Sequence, residues 1–315
     1  MARQSKQSRS GQTAQTSRVM RWMTRHNNDA YGVDPSALDL DYVVRSVERM
    51  KWLFGPNRYF RLSVDGFENL PDEPCLLVSN HSGGTTIPDV WGLMFAWYSH
   101  FGKERVCHPL AHEMIFSTNQ TGRLFSRLGV LKAHPKRGEQ VLTELRRDLL
   151  VFPGGDRDTW RKWSDRYRVN FASRMGYAHL ALKTGVPVVP IAHVGAHHSL
   201  LVLTDGRQFA KSIHLHKLAR SDVFPVHLSM PWGLGIGPLP HLPAPVHLRY
   251  RIGKPIYSGP AVTNLERQDK RVAALDQQTQ DAIQSMLTAF SQERPRARQR
   301  MKQLSQWAAK RLPKR

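Results

Sequence analysis

Buried strand-like runs alternate with amphipathic helices through the middle of this chain, and that alternation narrows its architecture more than any single motif does. Apolar, β-prone runs lie at residues 75–78 (Cys-Leu-Leu-Val), 106–110, 148–153 and 186–191, each of a length suited to a buried strand. Gly129-Val130-Leu131 is a shorter extended piece. Between them, the spacing of apolar residues predicts helices over 89–101, through 125–128, over 138–147 (Val141, Leu142 and Leu145 inward) and over 171–183, stopped by Gly185. Such alternation predicts an α/β domain: a mixed, largely parallel sheet covered by helices. An amphipathic helix over 38–54 and a strand over 59–64 precede it. The Pro- and Gly-rich stretch 225–255 offers one strand, at 247–252. A polar helix over about 261–290 follows, with Leu265, Val272, Leu275, Ile283 and Leu287 as its apolar stripe.

Charge restricts the partners. The chain carries 46 Lys+Arg against 25 Asp+Glu, a formal net charge of +21, which attracts nucleic acid, an anionic membrane surface or phosphorylated small molecules. The excess gathers at the ends. Residues 1–30 read as a disordered basic arm. Residues 291–315 form a basic tail in which Met301, Leu304, Trp307, Ala308 and Leu312 share one helical face, a pattern that suits docking on an anionic membrane surface. No apolar run is long enough to span a bilayer, and the N-terminal residues lack the apolar centre of a secretory signal. The expected location is therefore peripheral, on the cytoplasmic face of a membrane; the Arg- and Ser-rich arm leaves a mitochondrial transit peptide as the alternative. Two cysteines, Cys75 and Cys107, make neither a disulfide framework nor a Cys-based zinc site.

Two stretches carry candidate chemistry, each at the end of an expected parallel strand, where open α/β sheets bind ligands. In the first, Asn80-His81-Ser82-Gly83-Gly84 follows the strand at 75–78 and Asp89 opens the next helix. A histidine there, with a carboxylate nearby, can present a general base; the competing reading is a loop histidine and a helix N-cap. In the second, Phe152-Pro153-Gly154-Gly155 follows the strand at 148–153. Its glycines can offer backbone N–H groups to an anion, and Arg157 and Arg161 can add a guanidinium.

In this order the motifs resemble the glycerolipid acyltransferase superfamily, in the branch near type-2 diacylglycerol acyltransferases and phytyl ester synthases. The resemblance covers residues 38–290. It rests on NHSGGTTIPD at 80–89, Gly129-Val130-Leu131, FPGG at 152–155 and VPVVPIA at 186–192, together with WSDRYRVNFASRMGYAHLALKTGVP between the last two. It implies that His81 is the general base and Asp89 its partner. It also implies that Phe152, Pro153, Gly154, Gly155, Arg157 and Gly129 bind substrate, and that the strand at 186–191 lines an acyl channel. Acyl-CoA or acyl carrier protein would be co-substrate, with no further cofactor and no metal. The acceptor would be a glycerolipid, a lysolipid or a fatty alcohol.

Two positions depart from the family pattern. Seven residues, instead of four, separate His81 from Asp89, and Thr86 stands where the carboxylate is usual. Gly154 replaces the glutamate of phosphate-acceptor enzymes, which favours a neutral or lysolipid acceptor. Two other classes fit parts of the chain. A basic nucleic-acid-binding protein without catalysis agrees with the charge, but no nucleic-acid module is recognisable and no such partner is expected. A metal-dependent hydrolase would use His193, His197, His198, His214 and His216, which lack a metalloprotease-type spacing.

Overall fold

The computed structural model describes residues 30–212, 223–231, 233–262 and 270–311, with side chains described as far as residue 293. Residues 1–29 of the basic arm, His214, His216, Leu265, residues 312–315 and the side chains of the tail beyond residue 293 lie outside the described residues. The main sheet has eight strands in the order β1-β2-β11-β7-β3-β6-β4-β5. These are β1 (Phe54–Gly55), β2 (Phe60–Asp65), β3 (Leu76–Ser79), β4 (Cys107–Ala111), β5 (Leu131–Lys132), β6 (Asp148–Val151), β7 (Val188–Val194) and β11 (His247–Ile252). Every neighbouring pair runs parallel except β11 with β7.

The central strands read as continuous apolar runs because both faces of the sheet are covered. Leu76, Val78, Leu149, Val151, Val188 and Ala192 enter one core; Cys75, Leu77, Leu150, Val189 and Ile191 enter the other. The first is closed by the helix Gly176–Thr184 (α6) and by Val272, Leu275, Ile283 and Leu287 of the helix Lys270–Arg311 (α8). The second is closed by α1 (Leu40–Met50), through Val43 and Val47, and by α2 (Pro88–Phe101), through Leu93, Phe95 and Trp97. Around them lie α3 (Asn119–Arg127), α4 (Pro135–Glu139), α5 (Gly155–Thr159) and α7 (Arg207–Ser212).

Several boundaries differ from expectation for local reasons. The helix expected at 171–183 begins at Gly176, because Ala172 and Ser173 sit at φ 53° and 59°, a left-handed conformation no α-helix contains. The helix expected over 138–147 starts at Pro135 and passes into a π turn at Gln140–Glu144. The last helix runs on past residue 291 to Arg311. Where one strand was expected within 225–255, two more appear, β9 (Val226–Ser229) and β10 (Gly233–Ile236), and with β8 (Leu201–Thr204) they form a second, antiparallel sheet in the order β10-β9-β8.

Candidate active site

Parallel β3, β6 and β7 end on the same edge of the sheet, which brings His81, Phe152 and the end of β7 together. His81 Nδ1 lies 2.6 Å from Asp89 Oδ2, and the Ser82 backbone N–H donates to the same oxygen at 2.8 Å. The long spacing between them is taken up by a tight turn. Gly83 and Gly84 adopt φ 102° and 66°, Gly84–Thr86 makes one 3-10 turn, and Ile87 is left-handed before Pro88 starts α2. Asp89 thus falls in the first turn of α2, facing back toward His81. Thr86, at the usual carboxylate position, reaches His241 Nε2 at 3.1 Å instead.

Asp89 is buried, and its surroundings fix it. Its backbone carbonyl accepts from Tyr250 Oη at 2.7 Å. On the far side, His193 Nε2 lies 2.7 Å from Ser82 Oγ and 3.5 Å from Asp89 Oδ2. Burial pushes the His193 pKa down to about 4, so this second ring stays neutral at physiological pH and adds no positive charge beside the pair. For His81, burial disfavours the imidazolium, but the charge and hydrogen bond of Asp89 outweigh it, and its pKa is raised above the ordinary value. For Asp89, burial is likewise outweighed, here by His81, and its pKa is lowered. The geometry makes Nδ1–H the donor to Asp89 and leaves Nε2 as a lone pair, the form a general base needs.

One residue that sequence reasoning did not select, Asp158, helps to aim the histidine. Asp158, fully buried in α5, accepts the His81 backbone N–H at 2.5 Å through Oδ2. Its Oδ1 pairs with the buried Arg161 guanidinium. Arg161 also reaches the Arg168 carbonyl, the His81 carbonyl at 3.5 Å, and His197 Nε2 at 3.3 Å. Arg161, expected to hold an anion, is therefore a buried brace. The signal available in the sequence was the Asp-x-x-Arg spacing within one helical turn.

The remaining candidates divide. Phe152 lies against the His81 ring at 4.7 Å between centroids. His81, Phe152 and Gly155, with Asp156 and Thr159, line the mouth of an apolar groove of about 260 Å³. The groove runs between α1 (Val43, Val47, Met50), α2 (Ile87 just before it, then Val90, Trp91, Met94), α3 (Phe125) and β4 (Leu110). None of Pro153, Gly154, Arg157, Gly129 or residues 186–191 is among its lining residues. Gly154 is packed instead: a Cβ there would come within 2.5 Å of the Asn170 carbonyl and 2.3 Å of Asp158 Cβ. Gly155 N–H closes a turn onto the Phe152 carbonyl at 3.1 Å. Gly129, at φ 78°, turns the chain from α3 into β5 and gives its carbonyl to His108 at 2.8 Å. Arg157 is half-buried on α5. The strand at 186–191 is enclosed by β3 and β11, away from the groove. Among the described residues no group of three or more His, Cys, Asp or Glu side chains could hold a metal.

Residues 61–194 match the Acyltransferase family model. This stretch is an acyltransferase domain. The domain holds all four of His81, Asp89, Asp158 and His193. An uncharacterised protein of Mycobacterium tuberculosis is 29% identical over 232 residues, 72% of this chain and 59% of its own length. The Gallus gallus protein named DGAT1/2-independent enzyme synthesizing storage lipids is 28% identical over 215 residues, 67% of this chain and 57% of that one. The chain thus spans under two thirds of the length of these curated relatives. Phytyl ester synthase 1, chloroplastic, of Arabidopsis thaliana is 26% identical over 141 residues, 42% of this chain and 19% of that protein. A solved structure, the 1-acyl-sn-glycerophosphate (LPA) acyltransferase PlsC of Thermotoga maritima, is 16% identical, with a TM-score of 0.43 over 78% of this chain and 79% of that one.

Asp89→Asn should separate the two contributions of the carboxylate. An asparagine NH₂ facing Nδ1 favours the tautomer with Nε2 protonated, which is useless as a base. The plateau of kcat/KM should fall roughly 10²–10⁴-fold. Loss of the negative charge removes the main influence that offsets burial in raising the His81 pKa, so the residual activity should keep its acid limb at lower pH than the parent does. A pH–rate profile with an unmoved acid limb would show that Asp89 does not set the His81 pKa.

Proposed function

We propose that this acyltransferase domain moves a fatty acyl group from a thioester, acyl-CoA or acyl carrier protein, to the hydroxyl of a lipid acceptor at a membrane surface. The observation that carries the reading is the His81–Asp89 contact of 2.6 Å at the mouth of an apolar groove. His81 Nε2 takes the proton of the acceptor hydroxyl as its oxygen attacks the thioester carbonyl carbon. The tetrahedral intermediate then collapses, the C–S bond breaks, and the departing thiolate receives the proton from the His81 imidazolium. Asp89 stabilises the imidazolium between the two transfers. The fatty chain occupies the groove between α1, α2 and α3, whose walls are almost wholly apolar side chains.

The acceptor is diacylglycerol, a lysolipid or a fatty alcohol, the direction in which the family pattern at residue 154 points, although packing also requires glycine there. The storage-lipid and phytyl-ester names of the relatives agree with that direction. No helix of the described residues is long and apolar enough to cross a membrane, which fits peripheral docking of the kind the basic tail suggests. The test is incubation of the protein with labelled acyl-CoA and a panel of lipid alcohols and lysolipids, followed by separation of the products. Label in an ester product that depends on His81 is expected. Label released only as free fatty acid with every acceptor would make the chain a thioesterase and overturn the reading.

A further inference from the structure

The second sheet is amphipathic in the reverse of the usual sense. Register places Leu234 of β10 opposite Leu228 of β9, and Leu228 opposite Leu201 of β8, so the three side chains stand on one face. Ile236 and Val226 form the next row of that face. This face is the outward one: Leu234 is 59% exposed, Ile236 57% and Leu228 41%. The inner face holds His227, Val202 and Gly235, buried over Trp160, with the His227 and Trp160 ring centroids 5.1 Å apart. Glycine at 235 is a packing requirement, since a Cβ there would meet the His227 ring at 2.5 Å. Folding of this sheet demands the inner residues. It does not demand aliphatic side chains on the outside.

The apolar surface extends beyond the strands. Met230, Leu239 and Leu242 are exposed, as is Phe209 on α7, whose ring lies 5.2 Å from Phe224 beside β9. No Asp, Glu, Lys or Arg occurs from residue 223 to 248, so the strands β9 and β10 and the loop after them carry no permanently charged side chain. Contiguous exposed apolar surface of this kind marks an interaction site.

We infer that the outer face of β8–β10 is a membrane-docking surface that enters the interfacial layer of a lipid bilayer. The charge distribution favours lipid as the occupant. The face itself is uncharged, exposed Lys211 and Arg207 stand on α7 next to it, and the chain as a whole is strongly cationic, the combination that draws a protein to an anionic surface and then buries apolar side chains in it. Continuity with the site is the second reason. The loop after β10 lies on the turn that follows His81: Thr85 Oγ1 donates to the Pro238 carbonyl at 3.0 Å, and His241 reaches Thr86. A bilayer held by this sheet is brought to the side of the molecule where His81 opens. That consequence rests on the acyltransferase reading; the docking itself does not.

Flotation of the full chain with vesicles of phosphatidylcholine, with and without phosphatidylserine, tests it without turnover. Leu234→Glu combined with Ile236→Glu should lower the partition coefficient at least about tenfold (about 1.4 kcal/mol) on both compositions, with the melting temperature unchanged. Leu234→Cys supplies a second measurement: Cys75 and Cys107 are buried, so a polarity-sensitive fluorophore attaches at residue 234 and its emission should shift to the blue when vesicles are added. Undiminished partitioning of the double variant, or an unmoved emission, would overturn the inference. So would conversion of a dimer to a monomer with vesicle binding retained, which would make the face a contact between two copies. His81→Ala should partition like the parent. Docking without acyl transfer to any acceptor would overturn the proposed function and leave this inference standing.

Discussion

His81→Ala is expected to abolish acyl transfer, with kcat/KM falling roughly 10³-fold or more while circular dichroism stays close to that of the parent. In the proposed mechanism the imidazole is the base whose proton transfer accompanies attack, a contribution of about 10²–10⁴-fold in general, and the ring also lines the groove. Some stability should be lost, because Asp89 is left a buried carboxylate that keeps the Ser82 N–H but not its charged partner, and removal of the ring offsets part of that loss. The ring gives up its hydrogen bond to Asp89, and it no longer has to be held charged or polar in a buried place. His81→Gln is the companion variant: its amide can still reach Asp89 but takes up no proton at neutral pH, so it should be as inactive as alanine. Near-parental turnover by either variant would exclude His81 as the base. Because the His81 pKa is raised, parental kcat/KM should rise with pH through a value above about 6.5, the ordinary histidine pKa, as the imidazolium deprotonates.

Asp158→Ala should produce the largest loss of stability among these residues. It removes the only charged partner described for the buried Arg161 guanidinium and the acceptor of the His81 N–H. Breaking a buried pair from one side costs about 3–5 kcal/mol, because the remaining charge stays uncompensated. Urea denaturation should show that fall as a lower midpoint with an unchanged slope. Burial raises the Asp158 pKa even against Arg161 and the His81 N–H, so the pair is expensive to assemble as well as expensive to break. Pairing Asp158→Leu with Arg161→Met should therefore recover part of the loss, since neither charge is then buried. A loss under about 1 kcal/mol in Asp158→Ala would mean that Arg161 is held by its carbonyl and His197 contacts alone, against the ordinary cost of a broken buried pair. Activity should fall in both variants, as the His81 backbone loses its anchor.

Much of the fold was legible from residue type. β3, β6 and β7 are mostly apolar because two cores claim alternate side chains, and β11 spans 247–252 as expected because its inward residues Leu248, Tyr250 and Ile252 alternate with polar ones. The second sheet was not legible. β10 alternates glycine with leucine and isoleucine, and the inward residues of β9 and β10 are a histidine and a glycine, so apolar residues facing inward mark neither strand. His81 and Phe152 were legible as strand-end residues. The contact with Asp89 was legible as a pair of candidates but not as a geometry, since linear spacing does not reveal that three left-handed residues, Gly83, Gly84 and Ile87, fold the extra length into one turn. The Gly154-Gly155 pair looked like an anion nest because glycines can serve either exposure or close packing, and only the three-dimensional neighbours of Gly154 show that close packing claims it.

The contacts around His81 also fix when, during synthesis, the site can exist. Asp89 follows His81 by eight positions, but the other groups that hold the two in place arrive much later: Asp158 beyond β6, His193 at the end of β7, and Tyr250 from β11. A chain still on the ribosome with β11 unmade has the histidine and its carboxylate, without the hydroxyl that holds the Asp89 carbonyl. The strand that supplies this hydroxyl is also the one that inserts between β2 and β7 and joins the two parts of the sheet. The sheet and the surroundings of Asp89 are thus completed by the same strand, the last of the main sheet to be synthesised.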